Sequence, residues 1–404
     1  MNRIGVGVLG MGIGGLAVAT LLARRGHDVT VYDGMKHPGP VGSGFVLQPT
    51  GLEVMDRMGL LSDVMRRGAR IDRMLGIVQP SGRTVLDVGY AGATHGVAIQ
   101  RRALFEILHG AALAAGVSFE LGRRVIGIDE GRRPRPMLDT MRPTPQYDLV
   151  VDAMGCRSPN HEGSNEIGYG ALWATVPWDA TAGFHHATLE QRYRKASRMA
   201  GVLPVGTARD GDAAMATVFW SVKSGTGVDA WKDDAAALWP EMAPLLRDAS
   251  PVHATYRHHT RRAIMSKGVI RIGDAWHATS PQLGQGANMA LLDALSLDAA
   301  VGRGTDVDQA LRRHVAQRWK HVHLYQAMSR ILTPFYQSDG SLLPLMRDHV
   351  VAPLLHRRGM VHAAVSKIVS GGALGPLERI GRDVPACRTP GDGAIPRMGP
   401  RSAA

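Results

Sequence analysis

Apolar positions in this chain change rhythm twice within the first thirty-odd residues. Residues 3–9 (Arg-Ile-Gly-Val-Gly-Val-Leu) form the short, nearly continuous apolar run of a strand buried in a parallel sheet. A glycine-dense turn follows. Leu16 to Arg25 then carries Ala and Leu at helical spacing, and Gly26 stands where a helix-ending glycine belongs. Asp28 to Asp33 returns to strand periodicity, which makes a βαβ beginning. Downstream, the pattern predicts a helix over 50–58 and strands over 74–90 around a turn at Pro80-Ser81-Gly82. It predicts a helix over 101–115, a strand over 117–121, an exposed Arg- and Pro-rich loop over 131–146 and a buried strand over 147–153. Between 167 and 262, short apolar stretches separated by turns read as a mostly antiparallel sheet with one or two helices. A strand over 268–272, a helix over 287–300 and a helical region from 306 to about 370 follow. The last thirty residues, rich in Pro, Gly and Arg, are expected to be poorly ordered.

The elements predict an α/β fold. Residues 1–73, 97–166 and 263–305 form a discontinuous Rossmann-type domain, and 74–96 with 167–262 form an inserted, mostly antiparallel β-sheet domain. Residues 306–375 form a C-terminal helical region and 376–404 a tail. With 45% hydrophobic and 20% charged residues, the composition is that of a soluble globular protein. The net charge of +12 is spread over scattered Arg and Lys without a nucleic-acid motif, so nucleic acid is not an expected partner. Residues 4–23 are almost uncharged, but their glycine density argues against a membrane helix, and no other spanning segment is visible. Two cysteines, Cys156 and Cys387, make no disulfide framework, which together with the absence of a targeting segment points to the cytoplasm.

The chemistry-bearing segments are two. In Gly10-Met11-Gly12-Ile13-Gly14-Gly15, Gly10 permits the tight turn after the strand. Gly12 lets backbone approach a pyrophosphate, and Gly15 lets helix and strand pack closely. Asp33, 23 positions after Gly10, suits the hydroxyls of an adenosine ribose. This fingerprint alone does not separate NAD from FAD. The second segment, Gly273-Asp274-Ala275-Trp276-His277 with Pro281 and Gly284-Gln285-Gly286-Ala287-Asn288, does. Asp274 can bond a ribityl hydroxyl and Pro281 stiffens the turn. Gly284, Gln285, Gly286, Ala287 and Asn288 bring backbone N–H groups to a helix start, where they suit negative charge on a flavin ring. The cofactor expected is FAD.

This second segment resembles the second flavin motif of the class A aromatic-ring flavoprotein monooxygenases, the para-hydroxybenzoate-hydroxylase-like family. Gly42-Ser43-Gly44-Phe45-Val46-Leu47-Gln48-Pro49 is similar to that family's strand beside the flavin ring, and Arg101-Arg102-Ala103-Leu104 with Leu108 to its Arg-x-x-Leu-x-x-x-Leu helix. The resemblance implies cofactor contacts from Gly44 and Arg101. It also implies hydroxylation of a small aromatic or phenolic substrate with O2 and transiently bound NAD(P)H, through a flavin C4a-hydroperoxide. It covers 3–60, 97–158 and 268–300, and is thin over 167–262. The family's middle motif, Asp-Gly-x-x-Ser, is here Met154-Gly155-Cys156-Arg157-Ser158, without the acid. That departure keeps open an FAD-dependent reductase or dehydrogenase on a hydrophobic substrate, or a non-catalytic flavoprotein. Halogenation is a minor option, because no Trp-x-Trp-x-Ile-Pro segment is present.

No general base follows from the sequence. Gln48, by position beside the ring, and His277, inside the flavin motif, are the candidates near the chemistry. Gln48, Phe219, Trp220 and Pro281 are candidates for substrate contact, although Phe219 and Trp220, like His253 and Tyr256 on the same predicted sheet, read more simply as strand core. The pairs His185-His186 and His258-His259 would point to opposite faces of a strand and make poor twin metal ligands, so no metal is expected.

Overall fold

A computed structural model describes residues 1–37, 39, 43–90, 94–131, 133–159, 165–224, 229–356 and 359–381. Gly42, Cys387 and the tail beyond 381 lie outside the described residues. One six-stranded sheet runs in the order Met265–Ser266, Val269–Arg271, Leu149–Asp152, Gly5–Leu9, Asp28–Asp33, Ser118–Leu121. Its pairings are parallel except the first. The central strand Gly5–Leu9 is covered on both faces, which is why its apolar run is uninterrupted by charge. Gly7 makes room for the Tyr147 ring, whose hydroxyl bonds that of Tyr32 at 2.8 Å.

Against this sheet lie the helices Ile13–Arg24, Arg101–Ala114 and Gly286–Arg303, which build the largest apolar core. Ile13–Arg24 and Gly286–Arg303 run side by side in the same direction. Gly14, near the start of the first, faces Ala290 near the start of the second, with 3.3 Å between a Cβ built on Gly14 and that of Ala290. At the other end the Arg25 guanidinium reaches the buried Asp298 carboxylate, one of its two bonds being 2.7 Å. Gly26 closes the first helix at φ +88°, a left-handed position that glycine takes without strain.

The second sheet has seven strands, in the order Val252–His258, Asn165–Pro177, Met215–Lys223, Arg198–Gly206, Thr188–Arg194, Arg73–Val78, Arg83–Gly89. It is antiparallel apart from the pairing of Thr188–Arg194 with Arg73–Val78. Both its faces are covered. Helix Trp231–Leu238 and the segment after it pack on one face against Leu172, Val218 and Trp220. The other face carries Trp173 and Phe219. A small sheet of Phe45–Leu47, Gly96–Ile99 and Ala69–Ile71 bridges the two lobes. The 30-residue helix Val307–Tyr336, capped by the Asp306 side chain on Gln309 N, returns along the cofactor lobe and ends near the second sheet.

The expected loop over 131–146 needs a correction. Arg135–Leu138 is a strand, paired antiparallel with Val125–Asp129 in a two-stranded ribbon. Pro136 is tolerated because such a ribbon leaves one edge of each strand without a partner. Residues Pro376–Ile380 of the expected tail form a short helix whose Ile380 is buried in the main core.

A backbone constraint sits at Gly15, where a Cβ would stand 2.0 Å from the Gly10 carbonyl oxygen. Gly15→Ala is expected to lower stability by about 3 kcal/mol, since this backbone contact cannot relax without moving the turn. A urea unfolding curve measures it; an unchanged midpoint contradicts the packing described.

Candidate active site

The Gly10 turn bends at φ +99°, and its N–H bonds the Tyr32 carbonyl at 2.8 Å. The backbone then enters the Ile13–Arg24 helix at Gly12, which is exposed and has nothing within 4 Å of an added Cβ. No side chain caps this helix and no acid stands in its first turn. Its N–H groups are therefore left for an outside anion, which the helix dipole also favours. Asp33 accepts from the Met11 N–H and the Met35 N–H, both at 2.8 Å, so it fixes the turn.

The second helix start repeats the arrangement. Gly284 sits at φ +60°, Gln285 precedes the Gly286–Arg303 helix, and that end also lacks a side-chain cap and a first-turn acid. Since the two helices are parallel and touch at Gly14 and Ala290, their positive ends open to the same side of the molecule. Beside the second stands Asp274, its Oδ1 4.0 Å from a Cβ built on Gly286. Its side chain is solvent-accessible, yet crowding on all sides desolvates it and raises its pKa, with His277 and Arg101 opposing. An accessible but desolvated carboxyl belongs to the floor of a cleft. Cys156 Sγ lies 3.9 Å from Asp274 Oδ2, which brings the middle motif to the same floor. Arg101 is exposed over the Phe45 ring at 5.4 Å, with no hydrogen bond or ion pair among the described residues. Two open helix ends, an acid at the first turn, a carboxyl beside the second helix start and an exposed guanidinium fit a long dianionic dinucleotide such as FAD.

Several sequence candidates take structural positions. Gly44 is buried, its N–H bonds Thr217 Oγ1 at 3.0 Å, and a Cβ there would strike Val205. It seams the two lobes. The Asn288 amide is fully buried and ties Gln48 N (2.9 Å), Gly284 O (3.0 Å) and Val46 O (3.4 Å) together, so it shapes the ring-end wall from behind. Gln48 forms that wall, with Oε1 taken by the Tyr90 hydroxyl at 2.5 Å. Pro281, Gly284, Gly286, Ala287 and Ile13 remain at least partly accessible along the cleft.

His277 is corrected as a candidate near the chemistry. Its ring has no accessible surface and its Nε2 bonds Asp293 Oδ2 at 2.7 Å, facing the interior. Trp276 likewise points into the main core. Trp220 is corrected as a substrate contact. Strand side chains alternate, and Trp220 falls on the far face under Trp231 and Trp239. Phe219 falls on the inner face with Trp173, their rings 4.7 Å apart. Thr217, which holds Gly44, shares that face.

Sequence reading missed Tyr90, Asp293, Arg318 and His321, and read Tyr256 as strand core. Trp173 Nε1 donates to the Tyr256 hydroxyl oxygen at 2.7 Å, so the phenol proton is free to donate elsewhere and has no acceptor among the described residues. Burial pushes Tyr256 up to about 12, with Arg101 close enough to oppose the shift. Only strand alternation relative to Trp173 could have placed it on the inner face.

Behind the cleft, Asp293 accepts from Gly273 N (2.9 Å), His277 Nε2 (2.7 Å) and Arg318 Nε (2.7 Å). Burial alone would raise its pKa, but His277 and Arg318 outweigh it and hold the carboxyl well below the usual range. Arg318 donates to His321 Nδ1 (2.9 Å), which leaves His321 Nε2–H to donate to Gly371 O (3.0 Å) as a neutral imidazole. Burial, reinforced by Arg318, lowers His321 to about 3. Burial also lowers His314, on Ser296 at 3.1 Å, to about 4. Residues 366–371 stitch the ring-end walls together, through Ser366 to Gly89 O (2.9 Å), Gln285 to Val369 O (2.6 Å) and Thr50 N to Ser370 O (3.2 Å). Asp152 plays a similar part at the middle motif. Fully buried, it accepts from Met154 N (3.1 Å) and Ser158 Oγ (2.6 Å), so an acid two residues earlier than the family's holds this turn from inside.

The model of the family described as an FAD binding domain matches residues 3–325. The chain is 27% identical to the 3-amino-4-hydroxybenzoate 2-monooxygenase of Streptomyces cremeus, over 83% of this chain and 89% of that protein. Its fold is similar to that of Klebsiella pneumoniae HpxO complexed with FAD and uric acid (TM-score 0.76, 20% identity, 92% and 98% of the two chains). It is also similar to that of a C294A mutant of 2-methyl-3-hydroxypyridine-5-carboxylic acid oxygenase (TM-score 0.77, 19% identity, 94% and 98%).

Arg101→Ala is expected to weaken FAD binding about tenfold or more, the loss of one charge-assisted contact. Quenching of flavin fluorescence on titrating the FAD-free protein measures it, and unchanged affinity contradicts the role. The buried histidines make a second prediction. Unfolded imidazoles protonate near pH 6.5, whereas His314 and His321 stay neutral when folded, so stability is complete above that pH and falls as pH drops toward 4. Urea unfolding at pH 5 should give a stability lower than at pH 7.5 by on the order of 2 kcal/mol for each histidine, roughly 4 kcal/mol in all. A pH-independent midpoint across this interval contradicts it.

Proposed function

Taking as premise that the chain belongs to the FAD-binding domain family and is an FAD-dependent monooxygenase, we propose that its substrate is a small, electron-rich phenolic or heteroaromatic ring held between the second sheet and the flavin cleft. The observation that carries this reading is on the inner sheet face, where the Trp173 and Phe219 rings lie 4.7 Å apart, Trp173 donates to the Tyr256 hydroxyl oxygen, and Tyr256 is near enough to Arg101 to feel its charge. Trp173, half-buried and backed by the buried Phe219 ring, offers a flat ring its stacking surface. The Tyr256 hydroxyl, with its oxygen already engaged by Trp173, offers the ring oxygen a hydrogen bond.

FAD, when bound, supplies two-electron transfer from NAD(P)H and activation of O2. In the overall reaction one oxygen atom replaces a ring hydrogen as a hydroxyl and the other leaves as water, with NAD(P)H oxidised to NAD(P)+. The chain's part is to bind, orient and exclude water. Gly12 and the two open helix ends hold negative charge, Arg101 and Asp274 hold the middle of the cofactor, and Gln48 with Tyr90 closes the ring end. The cysteine usage supports a cytoplasmic enzyme.

Oxygen uptake by the purified flavoprotein, with NADH or NADPH and a panel of phenols, tests this reading. Substrate-stimulated uptake with a product heavier by one oxygen is expected. Uptake indifferent to every phenol and yielding only hydrogen peroxide contradicts it. Tyr256→Phe should lower kcat/KM about tenfold, the weight of one hydrogen bond, while FAD affinity is kept. Undiminished kcat/KM would remove Tyr256 from the substrate site.

A further inference from the structure

The long helix is followed by a helical run over 342–356 that shows its apolar side to solvent. It comprises Leu342–Met346, a wider turn over Arg347–Val351, and Ala352–His356. Leu342, Leu345 and Val350 are 68%, 54% and 52% exposed, and Met346 and Leu354 are nearly as open. These positions recur at spacings of three, four and eight, so they form one stripe along the run. Met360, at the start of the next helix, is 91% exposed.

The register of this run is pinned from the inside by a charge. Arg347 is buried and donates to Phe335 O (3.0 Å), Lys195 O (3.0 Å) and Asp348 Oδ1 (2.7 Å). Its guanidinium also lies over the rings of Tyr193 and Tyr336 at 5.0 and 5.3 Å. Rotating the run to hide its leucines would strip an arginine of all these partners, so the outward stripe is a property of the fold.

Cations rim the stripe. Exposed Arg83 donates to Asp348 O at 3.2 Å and meets the His349 ring at 2.7 Å. Exposed Lys195 lies where its carbonyl holds Arg347, and exposed Lys367 follows in the next helix. Among the described residues of 342–369 the one acid is Asp348, which Arg347 already pairs. The flavin chemistry explains neither this stripe nor the net charge of +12.

We propose that this face docks the protein on an anionic lipid surface, with the stripe entering the acyl boundary and the rim meeting the headgroups. A second copy of the chain would set the same cations against each other, whereas anionic headgroups neutralise them. The stripe is all aliphatic and Met, with no polar group to fix a partner's register, which suits a fluid acyl layer over a folded protein. No helix among the described residues is long and apolar enough to cross a membrane, so the contact is peripheral. An enzyme so placed would draw apolar aromatic substrates from the bilayer.

The test is co-sedimentation of the full-length flavoprotein with extruded vesicles, either phosphatidylcholine alone or phosphatidylcholine with phosphatidylglycerol. Binding to the anionic vesicles is expected to exceed that to the neutral ones about fivefold or more, and to fall sharply at roughly 0.5 M salt. The double variant Leu345→Asn with Val350→Asn keeps the charge and removes the apolar insertion. It should lose about fivefold or more of the binding while flavin absorbance and circular dichroism stay as in the parent. Failure to pellet with either vesicle overturns the proposal, as does binding that the double variant leaves intact. A concentration-dependent dimer in sedimentation velocity that the same variant dissolves overturns it in favour of a second copy.

Discussion

Two helices that start side by side, pointing the same way, organise this molecule. The contact of Gly14 with Ala290 lets the N-terminal ends of Ile13–Arg24 and Gly286–Arg303 approach closely, and Gly273 packs against the same alanine. Each end keeps its N–H groups uncapped and free of acids. Leaving such groups without partners costs stability unless water or a ligand takes them. Two such ends in one cleft, each favouring negative charge, define a site for a ligand that is anionic at two separated places.

The rest of the fold holds that pair in place. Asp293, within the second helix, bonds the Gly273 N–H and so fixes the turn that carries Asp274. Arg318 carries the constraint to the long C-terminal helix, and His321 carries it on to Gly371. From there residues 366–371 reach the walls beside Gln48 and Tyr90. A buried charge is costly unless its partners are complete, and Asp293 has three. The C-terminal helices thus brace the flavin site through Arg318 and His321.

The cofactor end was legible from sequence because its chemistry is local. A turn of glycines, a strand before it and a helix after it leave a readable mark within thirty residues. The ring end was half legible. The Gly284–Asn288 segment marks a helix start, but nothing local says that Asn288 spends its amide on Val46, Gln48 and Gly284, or that His277 turns inward to Asp293. The substrate side was least legible. Phe219 and Trp220 are equally apolar, and because helices cover one face of the second sheet and the cofactor lobe approaches the other, hydropathy gives no sign of which is which. Arg318 and Arg347 read as surface charges on helices, since burial of an arginine depends on partners far away in the chain. The strand Arg135–Leu138 was hidden because Pro136 suits a loop as well as an unpaired edge.

One FAD lying across both helix ends is the claim beneath all of this. Gly12→Asp and Gly286→Asp each place a carboxylate at one end without a clash, for an added Cβ at Gly12 meets nothing within 4 Å and at Gly286 nothing nearer than 4.0 Å. Titration of the FAD-free parent and of both variants with FAD, followed by fluorescence, is the direct measurement. The account predicts one FAD per chain for the parent and a loss of affinity of about tenfold or more in each variant separately. A parent that takes up no FAD, or either variant binding as tightly as the parent, would contradict it.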